Sequence, residues 1–375
     1  MSANLRPARA VPPGRIIERE LDARGWTQKD LADIMDRPAK TINQIVRGQK
    51  QITPDTAHQL AEAFGTSPEL WSNLETAYRL HLAGLQQQDQ EKIARRSRLY
   101  SLAPVAEITR RSWIKKTDSL EELEQEICEF LEIESTDQQP KVAANLRHAQ
   151  IRGPELAAQQ AWIQRVKHLA ASQDLGTFDT NKLQQALPKL LSLSEHIQDL
   201  VQVPPLLLSL GCHFVIVPHL PQTYLDGAAF QLNEHPVVAL TLRYNRIDSF
   251  WFTLLHELAH IIAKHDGVFL ENLDEYVDSP VEAQANRMAQ DWLIAPTQLQ
   301  AFVRTTRPYF SRAKIIRFAE SLGRHPGIVL GRLQRDKLVD YRNLRSLLVP
   351  VTPYLEPWVD VAVPNSTQER PVPVA

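Results

Sequence analysis

The stretch Phe252 to Gly267, FTLLHELAHIIAKHDG, sets two histidines four residues apart around a glutamate in an otherwise apolar run. A run this long exceeds the roughly 4–8 residues of a strand, and side chains at i and i+4 share one face of a helix. The segment is therefore a helix. Leu254, Leu255, Leu258, Ile261 and Ile262 supply enough apolar surface to bury it. Inside a buried helix, His256 and His260 are either satisfied core histidines or ligands that reach one ion together, with Glu257 beside them. Burial and metal binding do not compete, because a metal helix also needs an apolar flank that keeps its site shaped and partly dry.

A catalytic zinc takes three protein ligands and keeps its fourth position for water, so a third ligand has to come from elsewhere. The extended metzincin pattern needs glycine at 263 and histidine at 266; the chain has Ala263 and Asp266, which excludes that class. Downstream, DSPVEAQANRMAQDWLIAP opens a second helix at Ser279 and Pro280 and places Glu282 in its first turn. Ser279 and Glu282 also fit a capping box, in which the glutamate bonds back to the helix's own N-terminus. Glu271, Asp274 and Glu275 are further candidates for the third position.

The 375 residues suffice for two or three domains. With 42 Lys and Arg against 44 Asp and Glu, bulk charge cannot hold a polyanion, so any nucleic-acid contact has to come from a local surface. Cys128 and Cys212 lack a CxxC companion, which argues against a disulfide framework or a cysteine zinc site and fits a reducing cytoplasm. No apolar run reaches the length of a membrane span, and the basic N-terminus has no apolar region behind it, so a cytoplasmic location is expected. The fold class expected is mainly α, with a small β-sheet in the C-terminal half of α+β zincin-like character and an all-α domain at the N-terminus. Punctuation divides the chain into an arm (1–11), a helical domain (12–82), a helical spacer (83–202), the domain of the histidine helix (203–348) and a proline-rich tail (349–375). From Leu206 onward, LLLSLGCHFVIVPHL and HPVVALTL read as short β runs on either side of YLDGAAFQLNE, as in a small hairpin or sheet.

Near the N-terminus, Thr27 is placed to cap a helix with Leu31, Ala32 and Met35 inward. Pro38 falls in the first turn of a second short helix, with Ile42, Ile45 and Val46 inward and Gly48 ending it. That leaves Lys40, Thr41, Asn43, Gln44 and Arg47 on the outer face, a set of amides and cations that reads base edges and phosphates. Gln28 and Lys29, at the start of the first of these helices, suit phosphate contact. The same pattern also serves as the solvated face of a small structural bundle.

Two family resemblances bear on these alternatives. DRPAKTINQIVRGQKQITPDTAHQLAEAFGTSPELWSNLETAYRL resembles the helix-turn-helix of antitoxin-type, Xre-like repressors of the HigA family, with the likeness covering residues 12 to 80. It implies a homodimer on a palindromic double-stranded operator, with half-sites about one turn of DNA apart. Arg37 and Pro38 depart from that family's polar cap positions. From Pro204 to Pro296, the glycine-bearing DGAAF strand, an arginine ahead of FTLLHELAH, a trailing histidine and EAQAN closed by LIAP resemble the ImmA/IrrE metallopeptidases. GRHPGIVLGRLQ extends the likeness to Gln334, and Met288 stands where members more often have an aromatic residue.

The second resemblance implies a zinc metalloendopeptidase with His256, His260 and Glu282 as Zn2+ ligands and Glu257 as the catalytic glutamate. It also implies a regulatory protein as substrate, a repressor or toxin–antitoxin component. Tyr224, Tyr276 and His265 are the candidates for an additional oxyanion donor. The competing expectation is a non-proteolytic operator-binding repressor or antitoxin whose zinc domain senses or dimerises. Glu257 argues against it, since a structural zinc site needs no base and closes its fourth position.

Overall fold

The computed structural model describes residues 11–84, 87–140, 154–221, 223–265, 267, 269–271 and 280–360. It divides into two compact units, 1–95 and 96–375. Among the described residues no helix is long and apolar enough to cross a membrane.

Among the described residues, the first unit holds α1 (Pro13–Arg24), α2 (Gln28–Ile34), α3 (Ala39–Val46), α4 (Pro54–Phe64), α5 (Pro68–Gly84) and the start of a further helix. The cap foreseen at Thr27 is present and proves to be a full capping box: its Oγ1 accepts from the Asp30 amide at 3.2 Å, and its own amide donates to Asp30 Oδ2 at 2.7 Å. Such a cap typically stabilises a helix by about 1 kcal/mol. Pro38 is the residue before α3 and lies outside its first turn: its backbone, at φ -59° and ψ 134°, is extended, as suits a cap position. Ile42, Ile45 and Val46 point inward as the spacing requires, onto a core that holds Ile17, Leu31, Leu60, Phe64 and Trp71.

The second unit is organised by a four-stranded sheet in the order β1-β3-β2-β4, made of β1 (His213–Ile216), β2 (Gly227–Leu232), β3 (His235–Leu240) and β4 (Phe269–Glu271). β1 runs parallel to β3, and β2 is antiparallel to both β3 and β4. Both faces are buried, and the residues alternate between two cores with the period of two that a strand dictates. Phe214, Ile216, Ala229, Val238 and Leu240 face one core. Val215, Ala228, Phe230, Val237 and Ala239 face the other.

The stretch set apart as a spacer is divided between the two units. α6 (Gln87–Leu102) runs through the boundary at residue 95, and its Leu99 and Leu102 join the second core. α7 (Val105–Arg110), α8 (Leu120–Leu131) and α9 (Pro154–Ala171) complete that core, so these helices and the end of α6 form a layer on the sheet. Asp360 ties this layer down. Its carboxylate accepts both Arg165 nitrogens at 2.9 and 2.8 Å and Trp113 Nε1 at 3.0 Å, while its amide donates to the Ile216 carbonyl at 2.8 Å.

On the opposite face lie α10 (Thr180–Ser192), α11 (Val203–Ser209), α12 (Ile247–Ile262), α13 (Pro280–Leu293), α14 (Pro296–Thr306), α15 (Arg312–Leu322), α16 (Pro326–Arg335) and α17 (Thr352–Leu355). The β run expected from Leu206 begins only at His213. Leu206 to Ser209 are helical because unbranched-at-Cβ leucines follow two prolines that preset the first turn.

Candidate functional site

α12 is apolar nearly all round, as befits a helix enclosed between the sheet and the outer helices. His256, Glu257 and His260 are buried with it, Glu257 to 0% exposure. α13 packs against α12 and brings Glu282, in its first turn, to the two histidines. Glu282 Oε2 lies 3.1 Å from His256 Nε2 and 3.4 Å from His260 Nε2, and the two Nε2 atoms are 3.0 Å apart. Ligands about 2.0–2.1 Å from a tetrahedral zinc stand roughly 3.3 Å from one another, so this triangle of two imidazole nitrogens and one carboxylate oxygen has the dimensions and chemistry of a zinc face.

Burial pushes the Glu282 carboxyl up, but the hydrogen bonds from His256 and His260 outweigh it and bring the group down to about 2. Burial holds His260 below the usual histidine range. Both shifts favour an ionised carboxylate beside a neutral imidazole, the protonation state in which such groups bind a metal. Glu282 therefore turns its oxygen to the histidines. Ser279, its expected capping partner, lies outside the described residues, as do Asp274 and Glu275 and the Glu271 side chain.

Residue-by-residue reading missed Gly227. A Cβ at this first residue of β2 would fall 2.6 Å from Glu257 Oε1 and 2.6 Å from Thr253 Cγ2. Only glycine lets the sheet come this close to the glutamate. The sequence signal was the glycine of DGAAF, whose reason appears only when β2 and α12 are seen in contact. Asn286, one turn after Glu282, carries a buried Oδ1 with no hydrogen-bond partner among the described residues.

The three oxyanion candidates fare differently. His265 Nδ1 lies 3.0 Å from His260 Nδ1, on the opposite side of that ring from Glu282. His265 thus stands behind the His260 ring, where a neighbour can orient that imidazole. Tyr224 is 53% exposed, and its ring lies under the Arg243 guanidinium at 5.6 Å, with no hydrogen bond linking it to the histidines. Tyr276 lies outside the described residues.

In the first unit, Lys29, Lys40 and Arg47 are exposed, and Gln28, Thr41, Asn43 and Gln44 are half-buried. Asn43 Nδ2 donates to Gln28 Oε1 at 3.1 Å, which fixes the start of α2 against the middle of α3. Arg79 donates to the Gly48 carbonyl at 3.2 Å and to Glu75 at 2.7 Å, bracing the end of α3 from α5. The polar set is thus presented on braced helices.

Comparison with known proteins matches residues 17–71 to the helix-turn-helix family and residues 215–333 to the IrrE N-terminal-like domain. Virulence-associated protein I of Dichelobacter nodosus is 39% identical over 85 residues, which cover 22% of this chain and 76% of that protein. The HTH-type transcriptional regulator YddM of Escherichia coli (strain K12) is 32% identical over 68 residues, covering 18% of this chain and 72% of its own length. Among solved structures, an addiction module antidote protein of a HigA family from Coxiella burnetii is 35% identical, over 22% of this chain and 90% of its own, with a TM-score of 0.21.

Proposed function

Because the chain belongs to the helix-turn-helix regulators and carries an IrrE N-terminal-like domain as well, we propose that it is a DNA-binding, zinc-dependent metalloendopeptidase that cleaves a regulatory protein, a repressor or toxin–antitoxin component. The observation that carries this reading is the triangle of His256, His260 and Glu282 donor atoms with Glu257 buried beside it. A zinc ion held by these three residues supplies Lewis acidity and a lowered pKa for water. Glu257 takes the proton of the attacking water as it adds to the peptide carbonyl, then returns that proton to the leaving amine. The surrounding apolar side chains of α12 keep bulk water away and strengthen these charge interactions.

The first unit directs this chemistry to a place. Lys40, Thr41, Asn43, Gln44 and Arg47 of α3 read an operator in double-stranded DNA, with Gln28 and Lys29 on phosphates. A homodimer in the cytoplasm, on two half-sites about one helical turn apart, fits this arrangement. The complete burial of Glu257 favours keeping a second reading, a repressor whose zinc domain senses or dimerises without cleaving.

Incubating the zinc-loaded protein with candidate repressors and toxin–antitoxin proteins of its own host separates the two. Cleavage by the native chain and none by Glu257→Gln is expected. Absence of fragments with both forms, operator binding being intact in each, removes the peptidase reading. Gln44→Ala should abolish protection of the operator without changing cleavage of free repressor.

A further inference from the structure

Away from the donor triangle, the N-terminal half of α12, the C-terminal half of α13 and α16 leave a cleft of about 330 Å³ between them. None of His256, Glu257, His260 and Glu282 lines it. Leu293, Ile294 and Ile328 are buried and form an apolar floor, and the guanidinium groups of Arg246, Arg332 and Arg335 stand around it.

The cations are held in place by specific contacts. Asp248, itself buried, receives Arg246 on both oxygens, at 3.0 and 2.6 Å. It fits there because Gly331 has no side chain: a Cβ on that residue would lie 2.4 Å from Asp248 Oδ2. Arg332 Nε donates to Asp336 at 2.9 Å and keeps its two terminal nitrogens for other acceptors. Arg335 lies over the Phe252 ring at 4.9 Å and has no carboxylate partner among the described residues. Among the described residues, three guanidinium groups thus face two carboxylates, an excess of one positive charge above an apolar floor.

A volume at the lower end of the roughly 300–1,000 Å³ of small-molecule sites suits a compact ligand. Arginine forks select planar oxyanions, and the floor selects an apolar body. We propose that this cleft binds a small amphiphilic organic anion, a carboxylate or phosphate monoester on a short aliphatic or aromatic body, independently of whether the chain cleaves protein.

Isothermal titration calorimetry on the full-length protein tests this with four probes: hexanoate, phenylphosphate, neutral hexanamide and inorganic phosphate. Saturable binding of hexanoate or phenylphosphate is expected, with none of hexanamide or inorganic phosphate. Arg332→Gln and Arg335→Gln should each weaken that binding about tenfold, as the loss of one charge-assisted bond implies. Both side chains are partly or fully exposed, so the fold should survive, and circular dichroism together with retained operator binding checks that it does. The proposal is overturned if neither amphiphile binds, if inorganic phosphate binds as tightly as they do, or if both variants bind with unchanged affinity.

Discussion

The two units place their candidate functional residues in opposite ways. In the first, a small helical core supports a polar set on the outer faces of α2 and α3, with Lys29, Lys40 and Arg47 exposed. In the second, Glu257 and both histidines sit at the junction of α12, α13 and β2, with at most 1% exposure. A surface that reads a polymer needs only braced helices and correct spacing. A site that activates water needs enclosure, so its parts come from elements remote in sequence, and α7, α8 and α9 close the far face of the sheet.

If this contrast is sound, damage to one unit should leave the other intact. The largest effect is expected from Arg165→Ala, which strands the buried Asp360 carboxylate. Removing one partner of a buried pair costs about 3–5 kcal/mol, and differential scanning calorimetry should show it as a lowered transition for the second unit alone. A single cooperative transition that shifts as a whole would break the comparison. His265→Ala is expected to leave the fold unchanged and weaken zinc binding about 10–100-fold, measured by chelator competition. Thr27→Ala should destabilise the first unit by about 1 kcal/mol in urea titration, with no change in zinc content.

A further effect concerns acid and is absent at neutral pH. Burial, with the nearby His235, pushes His213 from the usual 6.5 down to about 4. The unfolded chain therefore takes up the proton first: the neutral ring's stabilising contribution is whole above pH 6.5 and is lost as pH falls from there toward 4. His213→Gln should flatten the pH dependence of the second unit's stability within that window.

Legibility in the sequence follows the same division. Thr27, Ile42, Ile45 and Val46 could be placed from local spacing because α2 and α3 are short and regular, and α2 is capped by its own residues. HELAH was equally legible as a helix face. What spacing could not settle was which distant residue meets that face, and the resemblance to ImmA/IrrE proteins supplied Glu282 where local chemistry also allowed a cap. Gly227 could not be explained until β2 was set against Glu257, and the leucines before His213 looked like strand because apolar runs of four do not declare their period. The layer of α7, α8 and α9 was opaque for a related reason: α9 buries eight consecutive residues, 157–164, and so has no solvent face there to mark its period.

The most direct test of the account is the zinc content of purified native protein, Glu257→Gln and Glu282→Gln after dialysis, read by inductively coupled plasma mass spectrometry. The account predicts one zinc per chain in the native protein and in Glu257→Gln, and its loss in Glu282→Gln. Full zinc in Glu282→Gln, or its loss in Glu257→Gln, would contradict it.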